Sequence, residues 1–341
     1  MAPESDGPCC GKRVMARRDK NDGVMTREGG SLGAVAVIGA GTTGASWAGL
    51  FAAHGFEVRL FDVEEGAAAA ALSRAAAAAR FLAAQDLADP AMVERGVAGL
   101  TVSPTLAEAV AGVSLVQECV PEDLTLKRSV FAEVSRLAPS DALIATSSSG
   151  LSITAIQQDA HLPGRTLAAH PYNPPHLVPL VELAPGALTE TVTLERARDL
   201  YRRAGKEPVV LQADIPGYIA NRLSAALWRE AIELVRRGVA SVEDVDRAVR
   251  YGPGLRWAAM GPHLIYHLGG GAKGIRGHLA HLTASKEGML RDLATWTTFP
   301  PDAADLLAEG LWAETAGKSL TELEVARDEV LAALLRALRD K

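Results

Sequence analysis

Three glycines at fixed spacing follow a short apolar segment, and together they could bind a phosphate-rich ligand. The segment 34–38 is apolar throughout and leads directly into a G-x-G-x-x-G pattern. Its first glycine permits a tight turn, the second lets a pyrophosphate approach the backbone, and the third lets a helix pack close to the strand. Free N–H groups and the positive end of the helix dipole then face the phosphates. The predicted cofactor-binding residues here are Gly39, Ala40, Gly41, Thr42, Thr43 and Gly44.

An acidic residue completes this dinucleotide pattern. A predicted helix from Thr42 to about Ala53 stops at Gly55, and a second predicted strand, 57–61, leads to Asp62. A carboxylate 18 positions past the last glycine (62 − 44) can accept both hydroxyls of an adenosine ribose and repels a 2′-phosphate. The pattern therefore favours NAD(H) over NADP(H). A plain glycine turn is the alternative, and the strand, the helix and the acid argue against it.

Strands and helices must alternate to place these residues together. Predicted strands at 100–103, 113–117, 142–146, 166–170, 178–183 and 209–211 are separated by helical or loop segments, including an alanine-rich helix at 63–87. This alternation of strands and helices predicts an α/β fold: a Rossmann-like, doubly wound, mostly parallel sheet followed by an all-helical C-terminal domain. The expected domains are 34–213, which binds the cofactor, and 214–341, which carries substrate-binding and dimerisation surfaces, with a Pro-Gly hinge at 215–217.

Composition excludes several classes of protein. The chain has 341 residues, 48% of them hydrophobic and 22% charged, which is typical of a soluble protein with two domains. A net charge of −6 argues against a nucleic-acid partner. No apolar run approaches about 18 residues without a charge, so a membrane partner is not expected. Three cysteines do not make a disulfide framework, and the composition favours reduced thiols in a cytoplasmic protein.

Residues 1–33 differ from the rest of the sequence. They have no hydrophobic period and are rich in Gly, Arg, Lys and Asp, so they are expected to be a disordered N-terminal extension. They lack the apolar core of a secretion signal. Met15 and Met25 leave open a later start of translation.

Several segments together resemble a known family. They are GAGTTG, VPEDLTLK, TSSSGL, HPYNPP, LVEL and PGYIANRL, in this order. Over about residues 34–340 the chain is similar to the 3-hydroxyacyl-CoA dehydrogenase family. The longer segments QECVPEDL, HPYNPPHLVPLVEL and YGPGLRWAAMGP are closer to the branch of L-gulonate 3-dehydrogenase (lambda-crystallin) and L-carnitine dehydrogenase. A reductase of aromatic polyketide pathways is also similar.

This resemblance implies an NAD-dependent dehydrogenase that interconverts an L-3-hydroxy acid and its 3-oxo acid. Such a reaction needs a base to remove the hydroxyl proton while hydride leaves the carbon. The resemblance assigns His170 as that base and Glu182 as the carboxylate that orients its ring. It assigns Ser149 and Asn221 to hydrogen bonds with the substrate oxygen. A serine in a turn and an asparagine capping a helix are the structural alternatives.

Further residues are assigned to the cofactor by the same resemblance. They are Glu122, Lys127, Ser149 and Asn173. For Glu122 and Lys127 the alternative is a solvated pair at the start of a helix.

Arg256 bears on the identity of the substrate. It lies in a segment punctuated by Gly and Pro, where a guanidinium could grip a substrate carboxylate by two parallel hydrogen bonds. Pairing with a carboxylate such as Asp246 is the structural alternative. The alanine-rich helix offers only Arg74 and Arg80 to the phosphates of CoA, so a free hydroxy acid or a small tailoring substrate is favoured over a thioester.

Other assignments stay open. An L-3-hydroxyacyl-CoA dehydrogenase, a pathway-specific ketoreductase and a crystallin-like structural protein that binds NAD are the alternatives to the leading prediction. A homodimer is expected to bury apolar stripes of the helical domain, unless these pack within one subunit. Such a stripe contains Leu331, Leu334, Leu335 and Leu338. No metal is expected, because His263, His267, His278 and His281 lack Cys or carboxylate partners at metal spacing.

Overall fold

The computed structural model describes residues 33–339, and one eight-stranded sheet lies at its centre. The strands are β1 Ala34–Ile38, β2 Glu57–Phe61, β3 Leu100–Val102, β4 Leu115–Glu118, β5 Leu143–Thr146, β6 Thr166–Pro171, β7 Leu180–Ala184 and β8 Glu207–Val210. Their spatial order is β3-β2-β1-β4-β5-β6-β7-β8. This confirms the predicted doubly wound sheet. The disorder expected for 1–33 concerns a segment that, apart from Gly33, lies outside the described residues.

The last two strands run against the other six. β1 to β6 are parallel, β6 and β7 are antiparallel, and β8 is parallel to β7. Only residues 172–179 connect β6 to β7, and a parallel crossover needs a dozen residues or more. The connection must therefore be a simple reversal. In the resulting register His170 lies directly opposite Glu182.

Helices cover both faces of the sheet and form the rest of the chain. In the first part they are α1 Thr42–Ala53, α2 Glu65–Ala84, α3 Pro90–Ala98, α4 Leu106–Val110, α5 Leu124–Leu137, α6 Ile153–Ile156 and α7 Thr191–Arg203. In the second part they are α8 Ala220–Arg236, α9 Val242–Tyr251, α10 Pro253–Ala259, α11 Pro262–Leu268, α12 Gly274–Asp292, α13 Ala303–Thr315 and α14 Leu320–Arg339. The helical C-terminal region is confirmed.

Alanine allows α2 to approach α1 closely. Ala68, Ala71, Ala75 and Ala79 are buried at helical spacing, and a Cβ at Gly49 of α1 would lie 2.7 Å from the Ala75 carbonyl oxygen. By length and composition α2 is the one described helix that could cross a membrane. In this fold, however, its alanine stripe packs on a neighbouring helix, which accounts for the same composition.

The C-terminal helix returns to the first half of the chain. Arg336 of α14 donates to the carbonyl oxygen and to the side-chain oxygen of Gln85, at 2.9 and 2.7 Å. Leu331 and Leu335 pack against the core beside the sheet, whereas Leu334 and Leu338 are exposed. In the predicted apolar stripe, two leucines therefore pack within the subunit and the other two are exposed.

A buried lysine ties the connection between β6 and β7 to the sheet. Lys206 is 2% exposed, and its Nζ donates to the carbonyl oxygens of Pro175 and Val178 at 2.6 and 2.7 Å. Burial lowers the pKa of Lys206 to about 7. Both carbonyl oxygens accept from the Lys206 Nζ, which also lies 4.8 Å from the centre of the Trp47 ring. The segment that carries the ends of β6 and β7 is thereby held in place.

Candidate active site

The glycine loop has the shape that a pyrophosphate requires. Gly39 has a φ of +99°, and a Cβ there would lie 2.7 Å from the backbone of Cys119. A Cβ at Gly44 would lie 1.9 Å from the Gly39 carbonyl oxygen. At Gly41 no atom of the protein lies within 4 Å of such a Cβ, so this face of the loop is open. The three glycines thus have the three separate roles predicted from their spacing.

Asp62 stabilises this loop and borders the cleft beside it. Its carboxylate accepts hydrogen bonds from the backbone N–H groups of Ala40 and Glu64, at 2.6 and 3.0 Å. The cleft has a volume of about 1040 Å³, and Gly39–Thr43, Phe61–Glu64 and Val120 line it. An open glycine, free N–H groups at a helix start and a carboxylate at the end of β2 fit a dinucleotide.

His170 and Glu182 form a buried pair at the edge of the cleft. His170 Nδ1 lies 2.9 Å from Glu182 Oε2, and the two residues are 3% and 1% exposed. The other carboxylate oxygen accepts from the N–H groups of Ile219 and Ala220, at 2.8 and 3.0 Å, which precede α8 or begin it. Glu182 therefore contacts the sheet, the imidazole and the start of the helical region at once.

Hydrogen bonds keep Glu182 ionised. Burial acts to raise the pKa of Glu182, but the hydrogen bonds from His170 and from the two backbone N–H groups outweigh it, so the pKa lies below its usual value. An ionised carboxylate only accepts, so Nδ1 carries a proton and Nε2 of the neutral ring is an acceptor. The geometry prepares Nε2 to take a proton.

Two polar side chains surround this nitrogen. Ser149 Oγ lies 3.1 Å from His170 Nε2, and Asn221 Nδ2 lies 3.5 Å from it. The Tyr218 ring, which the sequence did not single out, stacks on the imidazole at 4.9 Å between centroids. The structure thus brings His170, Glu182, Ser149 and Asn221 together from β6, β7, the end of β5 and the start of α8. Their catalytic role stays a prediction.

Glu122 and Lys127 support the loop that carries Ser149. Glu122 Oε1 accepts from Ser148 Oγ and from the N–H groups of Ser149 and Gly150, at 2.6, 3.1 and 2.8 Å. Lys127 is not part of a solvated face, since it is 1% exposed and its Nζ lies 2.8 Å from Glu118 Oε1. Direct contact of these two residues with the cofactor stays a prediction. Glu122 contacts the loop itself, whereas Lys127 contacts Glu118, the Val120 carbonyl oxygen and Glu122.

A pocket of about 450 Å³ opens in front of His170 and is called the catalytic pocket below. Its lining consists of Thr43, Ser147, Ser149, His170, Pro171, Tyr172, Asn173 and Asn221. Thr43 also lines the dinucleotide cleft, so the two spaces adjoin at the glycine loop. Asn173, assigned to the cofactor by resemblance, lines the catalytic pocket and a further cavity beside it rather than the dinucleotide cleft, and its contact with the cofactor stays a prediction. Ser147 and Tyr172 were not predicted, because a serine in a turn and an aromatic residue after a strand carry no separate signal.

Arg256 lies elsewhere. The sequence indicated a loop, but Arg256 belongs to the short helix α10, which begins at Pro253 because proline is well tolerated in the first turn. Its side chain is exposed and does not line the catalytic pocket. Neither Asp246 nor any other described carboxylate forms an ion pair with it. Its contact with a substrate stays a prediction. Within residues 33–339 no group of three or more His, Cys, Asp or Glu is placed to hold a metal ion.

Comparison with family models covers most of the chain. The model described as 3-hydroxyacyl-CoA dehydrogenase, NAD binding domain, matches residues 34–215, and the model of the C-terminal domain of the same family matches residues 217–300.

Known proteins agree with these matches. The chain is 40% identical to an L-carnitine dehydrogenase of Bacillus cereus over 90% of its own length and 93% of the relative. It is 37% identical to an L-carnitine dehydrogenase of Pseudomonas aeruginosa over 89% and 94%. Among solved structures it resembles 5-formyl-3-hydroxy-2-methylpyridine 4-carboxylic acid 5-dehydrogenase, an NAD⁺ dependent dismutase, with a TM-score of 0.77 and 30% identity over 90% and 98% of the chains. The chain belongs to the 3-hydroxyacyl-CoA dehydrogenase family and is an NAD-dependent hydroxy acid dehydrogenase.

Proposed function

We propose that this enzyme interconverts a small, free L-3-hydroxy acid of the L-carnitine type and its 3-oxo acid, and that a CoA thioester is not its substrate. The observation that carries the proposal is the hydrogen-bonded chain from Ser149 through His170 to Glu182, beside the glycine loop. It supplies a base at the place where a hydroxyl would meet the cofactor. The relatives named L-carnitine dehydrogenase support the class of substrate.

The surroundings of the catalytic pocket favour a free acid. Both cations of α2 are engaged: Arg74 donates to the Ala40 carbonyl oxygen at 2.7 Å, and Arg80 pairs with Glu94 at 2.9 Å. A neighbouring cavity of about 390 Å³ is bordered by Arg74 and by Glu324, Arg327 and Asp328 of α14, and Arg327 pairs with Asp328 at 2.8 Å. Both arginines at this cavity are thus already bonded to other groups and are poor partners for the phosphates of CoA, whereas the carboxylate of Glu324 suits a cationic group such as a quaternary ammonium.

Each side chain of the site has a defined task in this proposal. His170 Nε2 accepts the hydroxyl proton, and Glu182 stabilises the imidazolium that forms. Ser149 and Asn221 hold the substrate oxygen at the shared edge of the two spaces. NAD, when bound, accepts the hydride from the carbon; Gly39–Gly44, Asp62 and Asn173 would hold it, with Glu122 and Lys127 fixing the loop of Ser149. In the reverse direction the imidazolium returns its proton to the oxygen.

Substrate preference is the direct test. NADH production should be followed with L-carnitine, L-gulonate, L-3-hydroxybutyrate and L-3-hydroxybutyryl-CoA. We expect a free acid to exceed the thioester in kcat/KM by about tenfold or more, because Arg74 and Arg327 are already bonded to other groups and leave the phosphates of CoA without a cation there. If the exposed guanidinium of Arg256 grips the acid's carboxylate, Arg256→Ala raises KM for the acid by roughly tenfold, the loss of a charged hydrogen bond.

Arg247→Ala is the matched control, because Arg247 is an exposed arginine of the neighbouring helix α9. Turnover of the thioester alone would contradict the proposed substrate class. An unchanged KM in Arg256→Ala would remove only the role of Arg256 and would leave the substrate class intact.

We further propose a homodimer formed by the helical region. Many large apolar side chains there are at least half exposed, among them Leu223, Trp228, Tyr251, Leu255, Leu268, Leu279 and Leu290. Monomers rarely expose so much contiguous apolar surface, and a second copy would cover it. Light scattering at micromolar concentration should give twice the mass of one chain, and a monomer would rule the dimer out.

The domain boundary and the location belong to the same proposal. The family models meet at residues 215 and 217, which supports an NAD-binding domain at 34–213 and a helical substrate and dimerisation domain at 214–341. The kinship with bacterial dehydrogenases supports a cytoplasmic location.

A further inference from the structure

Ser147 lies in the catalytic pocket without a role in the scheme above. It follows β5 directly, is partly exposed and lines the pocket together with Ser149 and His170. The rest of its environment is buried and polar, which is unusual below a site that must bind ligands. The contacts of its hydroxyl therefore indicate what it does.

Two donors point at the Ser147 oxygen. Trp47 Nε1 lies 3.1 Å from it and Gln117 Nε2 lies 2.8 Å from it. An indole N–H can only donate. The amide of Gln117 is oriented by Tyr201, whose hydroxyl donates to Gln117 Oε1, so the NH₂ group faces Ser147. Trp47, Gln117 and Tyr201 are all 0% exposed, and this arrangement gives each of their polar side-chain atoms a hydrogen-bond partner.

The orientation of the Ser147 proton follows from this arrangement. A hydroxyl has two acceptor lone pairs and one proton, and both lone pairs face donors here. The proton must therefore be donated. Among the residues that the structure describes, its one acceptor is Cys119 Sγ at 3.2 Å. Burial raises the pKa of the Cys119 thiol to about 12, and an uncharged thiol sulfur is a weak acceptor. The other direction open to the proton is the pocket.

We propose that the Ser147 hydroxyl donates a hydrogen bond to a carboxyl-type oxygen of the reacting pair, exchanging the sulfur of Cys119 for a stronger acceptor when ligands bind. The oxygen belongs either to the carboxamide of the nicotinamide or to the carboxylate of the hydroxy acid. This inference rests on the proposed site, since it requires both ligands to meet in front of His170. Ser147 is then a binding residue that fixes the distance over which hydride moves.

Ser147→Ala and Ser147→Cys test the proposal. Ser147→Ala removes the hydrogen-bond donor. Ser147→Cys keeps a side chain of similar volume with a weaker donor, so it still tests the proposal if Ser147→Ala fails to fold. Ser135→Ala is the control: Ser135 is a buried serine whose hydroxyl also both donates and accepts a hydrogen bond, but it lies on α5 and lines neither space. NADH affinity is measured by fluorescence without substrate, alongside affinity for the thionicotinamide analogue, in which sulfur replaces the carboxamide oxygen.

If the carboxamide is the acceptor, both Ser147 variants bind NADH roughly 5- to 20-fold more weakly, the effect of one hydrogen bond, and no longer prefer it to the thio analogue. If the substrate carboxylate is the acceptor, NADH affinity is unchanged and KM for the hydroxy acid rises by a similar factor. The proposal is overturned if NADH affinity and KM for the hydroxy acid both stay within twofold of the wild-type values. It is also overturned if the variants lose affinity for NADH and for its analogue by the same factor.

Failure of this proposal is distinguishable from failure of the proposed function. The NADH measurements contain no hydroxy acid, so a wrong substrate class leaves them unaffected. Conversely, an enzyme that oxidises the expected acid while its Ser147 variants bind both ligands normally would refute only the role of Ser147.

Discussion

Replacing Glu182 by Gln is expected to lower kcat by about 10³- to 10⁴-fold while leaving the fold intact. The amide oxygen of Gln can still accept from the N–H groups of Ile219 and Ala220, where Glu182 Oε1 accepts now. Its NH₂ group then faces His170 Nδ1 and donates to it. The imidazole is forced into the tautomer that carries its proton on Nε2, and a nitrogen that already bears a proton cannot act as the base.

Steady-state kinetics with the preferred acid and NAD measure this effect. Glu195→Gln is the matched control, because Glu195 is an exposed carboxylate of α7 that lines neither space. The same substitution removes a contribution to stability. With its pKa held below the ordinary 4.5, Glu182 stabilises the fold fully above that pH, and the contribution is lost as pH falls through the lower value. A kcat close to that of the wild type would show that Glu182 is structural only.

His170→Gln is expected to reduce turnover by about 10³-fold or more and to leave NADH affinity unchanged. The variant loses the proton acceptor, whose contribution is of this order, but it keeps a polar side chain beside Ser149. In the proposed site, the binding of NADH depends on the glycine loop and Asp62, which His170 does not contact. Fluorescence titration and steady-state rates on the same preparation separate the two effects.

This variant also tests the non-enzymatic alternative. In a crystallin-like protein that binds NAD for structural reasons, His170→Gln would leave any residual turnover unchanged, and that result would contradict the dyad. His161→Gln serves as the control, since His161 is exposed and lies outside both spaces. Loss of turnover in both variants would point to a general effect of the substitution instead.

The first half of the fold was predictable because each signal there is local. The glycine pattern, the apolar strands and the alanine helix give β1, α1, β2 and α2 within two or three residues of their observed bounds. Four helices of this half were missed: the short helices α3, α4 and α6 and the longer helix α7, Thr191–Arg203. A polar helix such as α7 has few apolar residues, and only its packing on the sheet reveals which of them are buried.

The helical region was harder to predict for a different reason. Helix α12, Gly274–Asp292, follows the glycine-rich stretch 269–271 and contains further glycines, and glycine disfavours helices in isolation. Here glycines permit close contact instead: a Cβ at Gly277 would lie 2.7 Å from the Gly270 carbonyl oxygen. Tertiary packing therefore decides the conformation, and a short stretch of sequence does not contain that information.

The site was predicted through resemblance more than through pattern. No spacing in the sequence states that residues 170 and 182 meet; the antiparallel pairing of β6 and β7 brings them together. The buried supports, Glu118 beneath the Ser149 loop and Gln117 beneath Ser147, are adjacent polar residues within a short strand and resemble ordinary surface residues in sequence. Glu118 and Gln117 support the site because they are buried, and the sequence alone does not reveal that burial.

The reversal between β6 and β7 also limits how this chain can change in length. Side chains alternate between the two faces of a strand, so a shift of the β6–β7 pairing by one residue would turn Glu182 away from His170. A single insertion or deletion in residues 172–179 that reached the strands would separate the pair, whereas a change of two residues could restore the same face. A new substrate loop grafted here must therefore differ from the present one by an even number of residues, in addition to having suitable chemistry. The same condition applies to natural variants of this loop that differ in length.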